Sequence, residues 1–160
     1  MTPGYLYQRI LPAAYALLPP QMQSSNASAM LLTIALQESR CCHRRQISGP
    51  ARGFWQFEIA GVRGVLAHKA SKAHLANALE ALSYPVTDDA TVPYVAIEHN
   101  DILAAVCARL LLWTLPDALP PRTEPAEGYE LYIKAWRPGK PHPETWAALY
   151  GQAWETVEAA

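Results

Sequence analysis

MLLTIALQESRCCHRRQISGPARGFWQFE, residues 30–58, places one carboxylate where an apolar helix runs out. Met30, Leu31, Ile34 and Ala35 recur at helical spacing, and Glu38 falls four residues after Ile34 and seven after Leu31. It therefore continues the buried stripe rather than the wet face. An acid half buried against apolar side chains has a raised pKa because desolvation penalises the anion, and the negative end of the helix pushes the same way. Such a group holds a proton near neutral pH and can give it away.

Upstream, Ser24, Ser25, Asn26 and Ser28 offer N-caps for this helix, which spans roughly 27–39. Before it, Tyr7, Ile10, Leu11, Ala14 and Leu18 form a helical stripe in which Pro12 requires a kink or a helix that begins there. Downstream, Arg40 to Gln56 is polar and contains Gly49, Pro50 and Gly53, which reads as a loop or a short irregular hairpin.

Short helices are predicted around Val62, Val65 and Leu66, and around Leu75, Leu79 and Leu82 after Ser71. Tyr84 to Pro93 reads as a connection. A strong helix capped by Asn100 or Asp101 carries Ile102, Leu103, Val106, Cys107, Leu110 and Leu111, and is the expected central core helix. Pro116 to Pro125 is an extended surface connection. Tyr129 to Trp136 is helical, and a last helix starts near Pro143 with Trp146, Leu149, Tyr150, Ala153 and Val157 on one face. No segment sustains strand alternation and none repeats. The expected class is all-α, a single domain over residues 1–160.

With 160 residues and 51% hydrophobic content the chain can bury a substantial core. Its formal charge of -1 supplies no field to hold a polyphosphate, so nucleic acid is not an expected partner. No uninterrupted apolar run is long enough to span a bilayer, and the N-terminus, with Arg9 among its apolar residues and breaks at Pro12, Pro19 and Pro20, does not read as a signal peptide. Cys41, Cys42 and Cys107 are an odd set without zinc spacing; a bridge from Cys41 or Cys42 to Cys107 is left open by the sequence. His43 beside the cysteine pair invites a metal-binding or redox reading, but adjacent cysteines are poor zinc ligands, and no metal or cofactor is expected.

The order helix, glutamate, Gly-containing loop resembles the lytic transglycosylase and goose-type lysozyme group of the lysozyme-like superfamily. Glu38-Ser39 matches that group's helix ending in Glu-Ser. Pro50-Ala51-Arg52-Gly53-Phe54-Trp55-Gln56 partly matches its Gly-Ala-x-Gly-Leu-Met-Gln, at Ala51, Gly53 and Gln56, and Ala135-Trp136-Arg137-Pro138-Gly139 stands where the group has Ala-Tyr-Asn-x-Gly. The tyrosine that orients the acid in the group is thus replaced by Trp136, with Tyr129, Tyr132 and Tyr150 as substitutes. The phrases GPARGFWQFE and WRPGKP also resemble small muralytic proteins of tailed phages and prophages.

The resemblance implies a lysozyme-like helical fold in which Glu38 protonates the glycosidic oxygen between N-acetylmuramic acid and N-acetylglucosamine of peptidoglycan. In a transglycosylase the sugar's own 6-hydroxyl then attacks and leaves an anhydro product; in a lysozyme, water attacks. An inverting route needs a second carboxylate about 6.5–9.5 Å from the first, for which Glu58 and Asp101 are candidates. Gln56 is expected on the sugar amides, and Phe54, Trp55, Trp136 and Tyr132 at the substrate. The implied setting is a phage virion, with other virion proteins as partners, or host cytoplasm with holin-type or injection delivery to the wall.

Two plainer readings compete. Glu38 paired with Arg40, Arg44 or Arg45 would have a lowered pKa and no acid role. A phage structural or assembly protein could keep such a fold without activity, as the altered third block suggests.

Overall fold

The computed structural model describes residues 1–159 and is all-helical; among these residues only isolated β-bridges, Arg45 to Arg52 and Arg52 to Phe57, break the pattern. The chain opens with α1 (Pro3–Tyr5), a π-turn (Leu6–Ile10) and α2 (Leu11–Tyr15), which run on as one helical rod. The π-turn reconciles Pro12 with the rod: proline lacks an N–H, and the widened turn before it removes the need for one at that point. A 3-10 turn (Pro20–Met22) leads to α3 (Ser25–Ser39), whose N-cap Ser24 accepts a hydrogen bond from the Ala27 N–H at 3.0 Å.

Every residue of α3 from Ala27 to Leu36 is buried, so its sequence is apolar around the whole circumference rather than along one stripe. It packs most extensively on the final helix and also touches α7. After Ser39 the chain leaves through two consecutive residues in left-handed geometry, Arg40 at φ 53° and Cys41 at φ 55°. Left-handed backbone costs a non-glycine residue about 1–2 kcal/mol, so this exit is held by its surroundings. Bonds from Arg40 N to Leu36 O (3.1 Å) and Cys41 N to Ala35 O (3.3 Å) close the helix end.

The remaining helices are α4 (Ile59–Ala67), α5 (Lys72–Ala81), α6 (Thr91–Ala96), α7 (Asp101–Trp113), α8 (Pro125–Trp136) and α9 (Pro143–Glu158). α6 corrects the reading of 84–93 as pure connection. Pro93 is its third residue, where a missing N–H costs nothing because first-turn donors have no helical partner. Asn100 caps α7 by accepting from Leu103 N at 3.0 Å. α7 buries Leu103 through Leu110 and packs against α2, α4 and α5. The expected single central helix is therefore a pair, α3 and α7. α8 and α9 pack on each other closely: a Cβ at Gly128 would sit 2.9 Å from Cε2 of Tyr150. The buried apolar residues form one contiguous core drawn from both ends of the chain.

No helix among the described residues is long and apolar enough to cross a membrane. All three cysteines are free, which removes the bridge to Cys107; Cys41 and Cys107 are buried and Cys42 is exposed.

Candidate active site

Three consecutive side chains at the end of α3 each reach a different element. Gln37 is tied to the start of α9: the Thr145 hydroxyl donates to its Oε1 at 2.9 Å, and its Nε2 donates to the His142 carbonyl at 3.1 Å. Glu38 accepts a 2.6 Å hydrogen bond from the hydroxyl of Tyr132 on α8. Ser39 is buried, its hydroxyl within bonding distance of the Phe54 carbonyl (2.7 Å) in the loop and of Ala35 O (3.0 Å) in its own helix. The position of the Glu38 backbone is thereby fixed from three sides.

Glu38 is half-buried, and desolvation pushes its carboxyl above the ordinary glutamate range; the Tyr132 hydrogen bond, which favours the anion, pulls the other way and is the smaller effect. Tyr132 itself is held well above the usual phenol range by burial and by the neighbouring carboxylate, so it acts only as a hydrogen-bond donor. Its ring is 2% exposed and stacked on Trp146 at 5.0 Å, with Trp136 and Tyr129 alongside at 6.4 and 6.0 Å. These aromatic contacts, shared by α8 and α9, leave the hydroxyl little freedom.

Three of the four arginines that follow Glu38 in this segment are engaged elsewhere. Arg44 forms a two-pronged pair with Asp101, both contacts at 2.8 Å, and Arg45 and Arg52 both pair with Glu98. Among the described residues Glu38 makes no ion pair, which overturns the reading of an acid neutralised by Arg40, Arg44 or Arg45. Arg44 also lies over the Phe54 ring of the loop at 4.5 Å, and Arg52 over the Tyr94 ring of α6 at 4.7 Å.

Gly53 is the loop's pivot. It has φ 72°, and a Cβ there would lie 3.0 Å from the Ile97 carbonyl, so both the backbone geometry and the space call for glycine. The turn it opens carries Phe54 and Trp55 inward: they are 1% and 0% exposed, and the Trp55 indole N–H donates to the Leu31 carbonyl at 2.9 Å. Neither ring offers a face to a sugar, and both expected substrate contacts are corrected to core packing. Gln56 is partly exposed at φ 47°, its Nε2 donating to Gly53 O at 2.8 Å and to His43 O at 3.3 Å. Its amide nitrogen braces the loop, which leaves its Oε1 for other partners. Trp136, half-buried, donates its indole N–H to Trp55 O at 2.8 Å and packs its ring 5.7 Å from Phe57. Glu58 stands exposed at the N-cap of α4 without a capping bond, and Asp101 is spent on Arg44. Among the described residues neither makes a hydrogen bond with Glu38.

Tyr132 was one of three substitutes open in the sequence for the missing orienting tyrosine. Its signal was its spacing: it precedes Trp136 by four residues and so lies one turn away on the same face of α8. Gln37, Thr145 and the bracing role of Ser39 had no readable signal, because each depends on a partner far away in sequence. Among the described residues no group of three or more His, Cys, Asp or Glu is placed to hold a metal.

No family model matches this chain, and no curated protein and no solved structure matches it.

Proposed function

We propose that the protein is a peptidoglycan-degrading glycosidase, a lytic transglycosylase or lysozyme, with Glu38 as its general acid/base and Tyr132 as the residue that positions it. The observation that carries this reading is the Glu38 carboxyl itself, desolvated at a helix end, free of ion pairs and held by one phenolic hydroxyl. A carboxyl so placed keeps a proton to higher pH than an exposed one and presents it in a fixed direction, as protonation of a glycosidic oxygen requires. Once the bond has broken, the resulting carboxylate can take the proton of the attacking hydroxyl. The sugar's own 6-hydroxyl is the better-supported nucleophile, because the two carboxylates considered for activating water are an exposed N-cap and an ion-paired helix residue.

A non-catalytic phage structural protein is favoured by one observation: Phe54 and Trp55 are withdrawn into the core, so the loop presents no aromatic platform to a glycan.

Digestion of purified peptidoglycan by the wild type and by Glu38→Gln, with products identified by mass spectrometry, decides between them. Anhydro-muropeptides that vanish in the variant support the transglycosylase, and reducing-end products that vanish support the lysozyme. No release from any of several wall types overturns the enzyme reading.

A further inference from the structure

A cavity of about 530 Å³ lies between the N-terminal rod and the start of α3, lined by Tyr7, Gln8, Leu11, Pro12, Tyr15, Gln23 and Ser28. It is remote from the Glu38 site: Ser28 precedes Glu38 by ten residues, about 15 Å along α3. The π-turn borders it through Tyr7 and Gln8, and such turns recur where helices are locally reshaped for a ligand.

One buried cation, outside the lining, acts on the cavity's polar wall at Tyr15. Arg109, 3% exposed, sits behind its wall, donating from Nε to the Met22 carbonyl at 2.7 Å next to Gln23. Its charge acts on Tyr15, and among the described residues no carboxylate pairs with it. Burial alone depresses its pKa, but an arginine stays cationic in proteins. The N-terminus of α3 adds partial positive charge, with no acidic residue in its first turn. No lining residue is acidic.

The polar lining is unsaturated. Tyr15 and Ser28 share a buried hydrogen bond of 3.0 Å, which uses one of their two hydroxyl protons and leaves the other for a guest. The side chains of Gln8 and Gln23 are exposed at the cavity's rim and make no hydrogen bond within the described residues. Leu11, Pro12 and the ring of Tyr7 supply apolar wall beside these donors.

We infer that this cavity is a binding site for a small organic carboxylate with an apolar body, its anionic end at the Tyr15–Ser28 hydroxyl pair and its body against Leu11 and Pro12. The site is separate from the glycan-cleaving reading and does not depend on it.

Calorimetric titration of the full chain at low ionic strength with benzoate, its neutral isostere benzamide, and inorganic phosphate tests this, up to roughly 10 mM as suits fragment-sized ligands. Benzoate binding with benzamide and phosphate at least about tenfold weaker is the expected result. Gln23→Glu, on the exposed rim, should weaken benzoate by up to about fivefold through like-charge repulsion, and Ser28→Ala should weaken it as well. Equal binding of benzoate and benzamide, phosphate binding as tightly as benzoate, no binding of benzoate, or benzoate affinity unchanged in a folded Gln23→Glu protein would each overturn the inference.

Discussion

The hydroxyl of Tyr132 donates to Oε1 of Glu38 across 2.6 Å, joining residues that lie 94 positions apart in sequence. The bond connects the end of α3 to the middle of α8, and the tyrosine ring that supplies it is clamped against Trp146. Removing the hydroxyl while keeping the ring, as in Tyr132→Phe, leaves the stack in place. The folded protein should lose about 1 kcal/mol. On the proposed glycosidase reading, activity on peptidoglycan should fall about tenfold to a hundredfold as Glu38 loses its orientation. Because that bond favours the anion, its loss moves the Glu38 pKa further up, and the alkaline limb of the activity profile should shift to higher pH. A pH–rate series on both proteins reads this directly, and an unchanged profile would count against the positioning role.

On the proposed reading Glu38→Gln should abolish glycan cleavage while leaving the fold intact, and whatever the function its stability should carry a pH signature. The native pKa of Glu38 lies above the unfolded value, so the folded state binds the proton more tightly than the unfolded one. The stability associated with this group is fully present below the ordinary carboxylate pKa and is lost as pH rises through the raised native value. The variant should therefore gain melting temperature over the wild type at pH 7, and the difference should shrink as pH is lowered toward 4.5, the ordinary value. Thermal unfolding of the pair across that range is the measurement.

Gly53→Ala should cost about 1–2 kcal/mol from the left-handed backbone alone. The added methyl also meets the Ile97 carbonyl at 3.0 Å and Ala104 Cβ at 3.3 Å. The neighbouring Phe54 carbonyl is what Ser39 holds, so activity should drop along with the denaturation midpoint. A fully stable, fully active Gly53→Ala protein would show that the turn is not what places the loop.

Thiol labelling should find one fast-reacting cysteine in the native protein, Cys42, and three after denaturation. Burial pushes the thiols of Cys41 and Cys107 up to about 12, which suppresses the reactive thiolate as well as access to it. Cys42→Ser should remove the fast phase without changing stability by more than about 0.5 kcal/mol.

The two-pronged Arg44–Asp101 pair ties the loop to the first turn of α7. Since the Arg44 side chain is 42% exposed, Arg44→Met should change global stability by no more than about 1 kcal/mol. Limited proteolysis should nevertheless cut the Arg40–Gln56 segment faster in the variant, and the wild type should approach that rate as salt is added.

Most of the longer helices, and a short set of cap candidates for two of them, were legible in this chain because they are local. Spacing of apolar residues marks α3, α7, α8 and α9, while Ser24 and Asn100 announce the starts of α3 and α7 through side chains that bond only three residues away. α6 was hidden by Pro93, whose meaning reverses between a helix interior and a first turn. The π-turn was visible only as the unresolved problem of Pro12.

The unusual position of Glu38 on a buried stripe was likewise a local fact, and it is the part of the candidate site that the sequence determined by itself. What surrounds it was decided only by tertiary structure. Three tyrosines were open as its partner, and the packing of α8 on α9 selected Tyr132. Four arginines followed it in the chain; Asp101 and Glu98, brought up by α7 and the end of α6, drew three of them into ion pairs and left Glu38 without one. Phe54 and Trp55 read as sugar platforms or as core, with core the better reading for at least one of the aromatics, and Gly53 turned both inward. The physical reason is common to all three cases. A carboxyl's pKa, a ring's exposure and an arginine's choice of partner depend on what lies within a few ångströms, and those neighbours are tens of residues away along the chain.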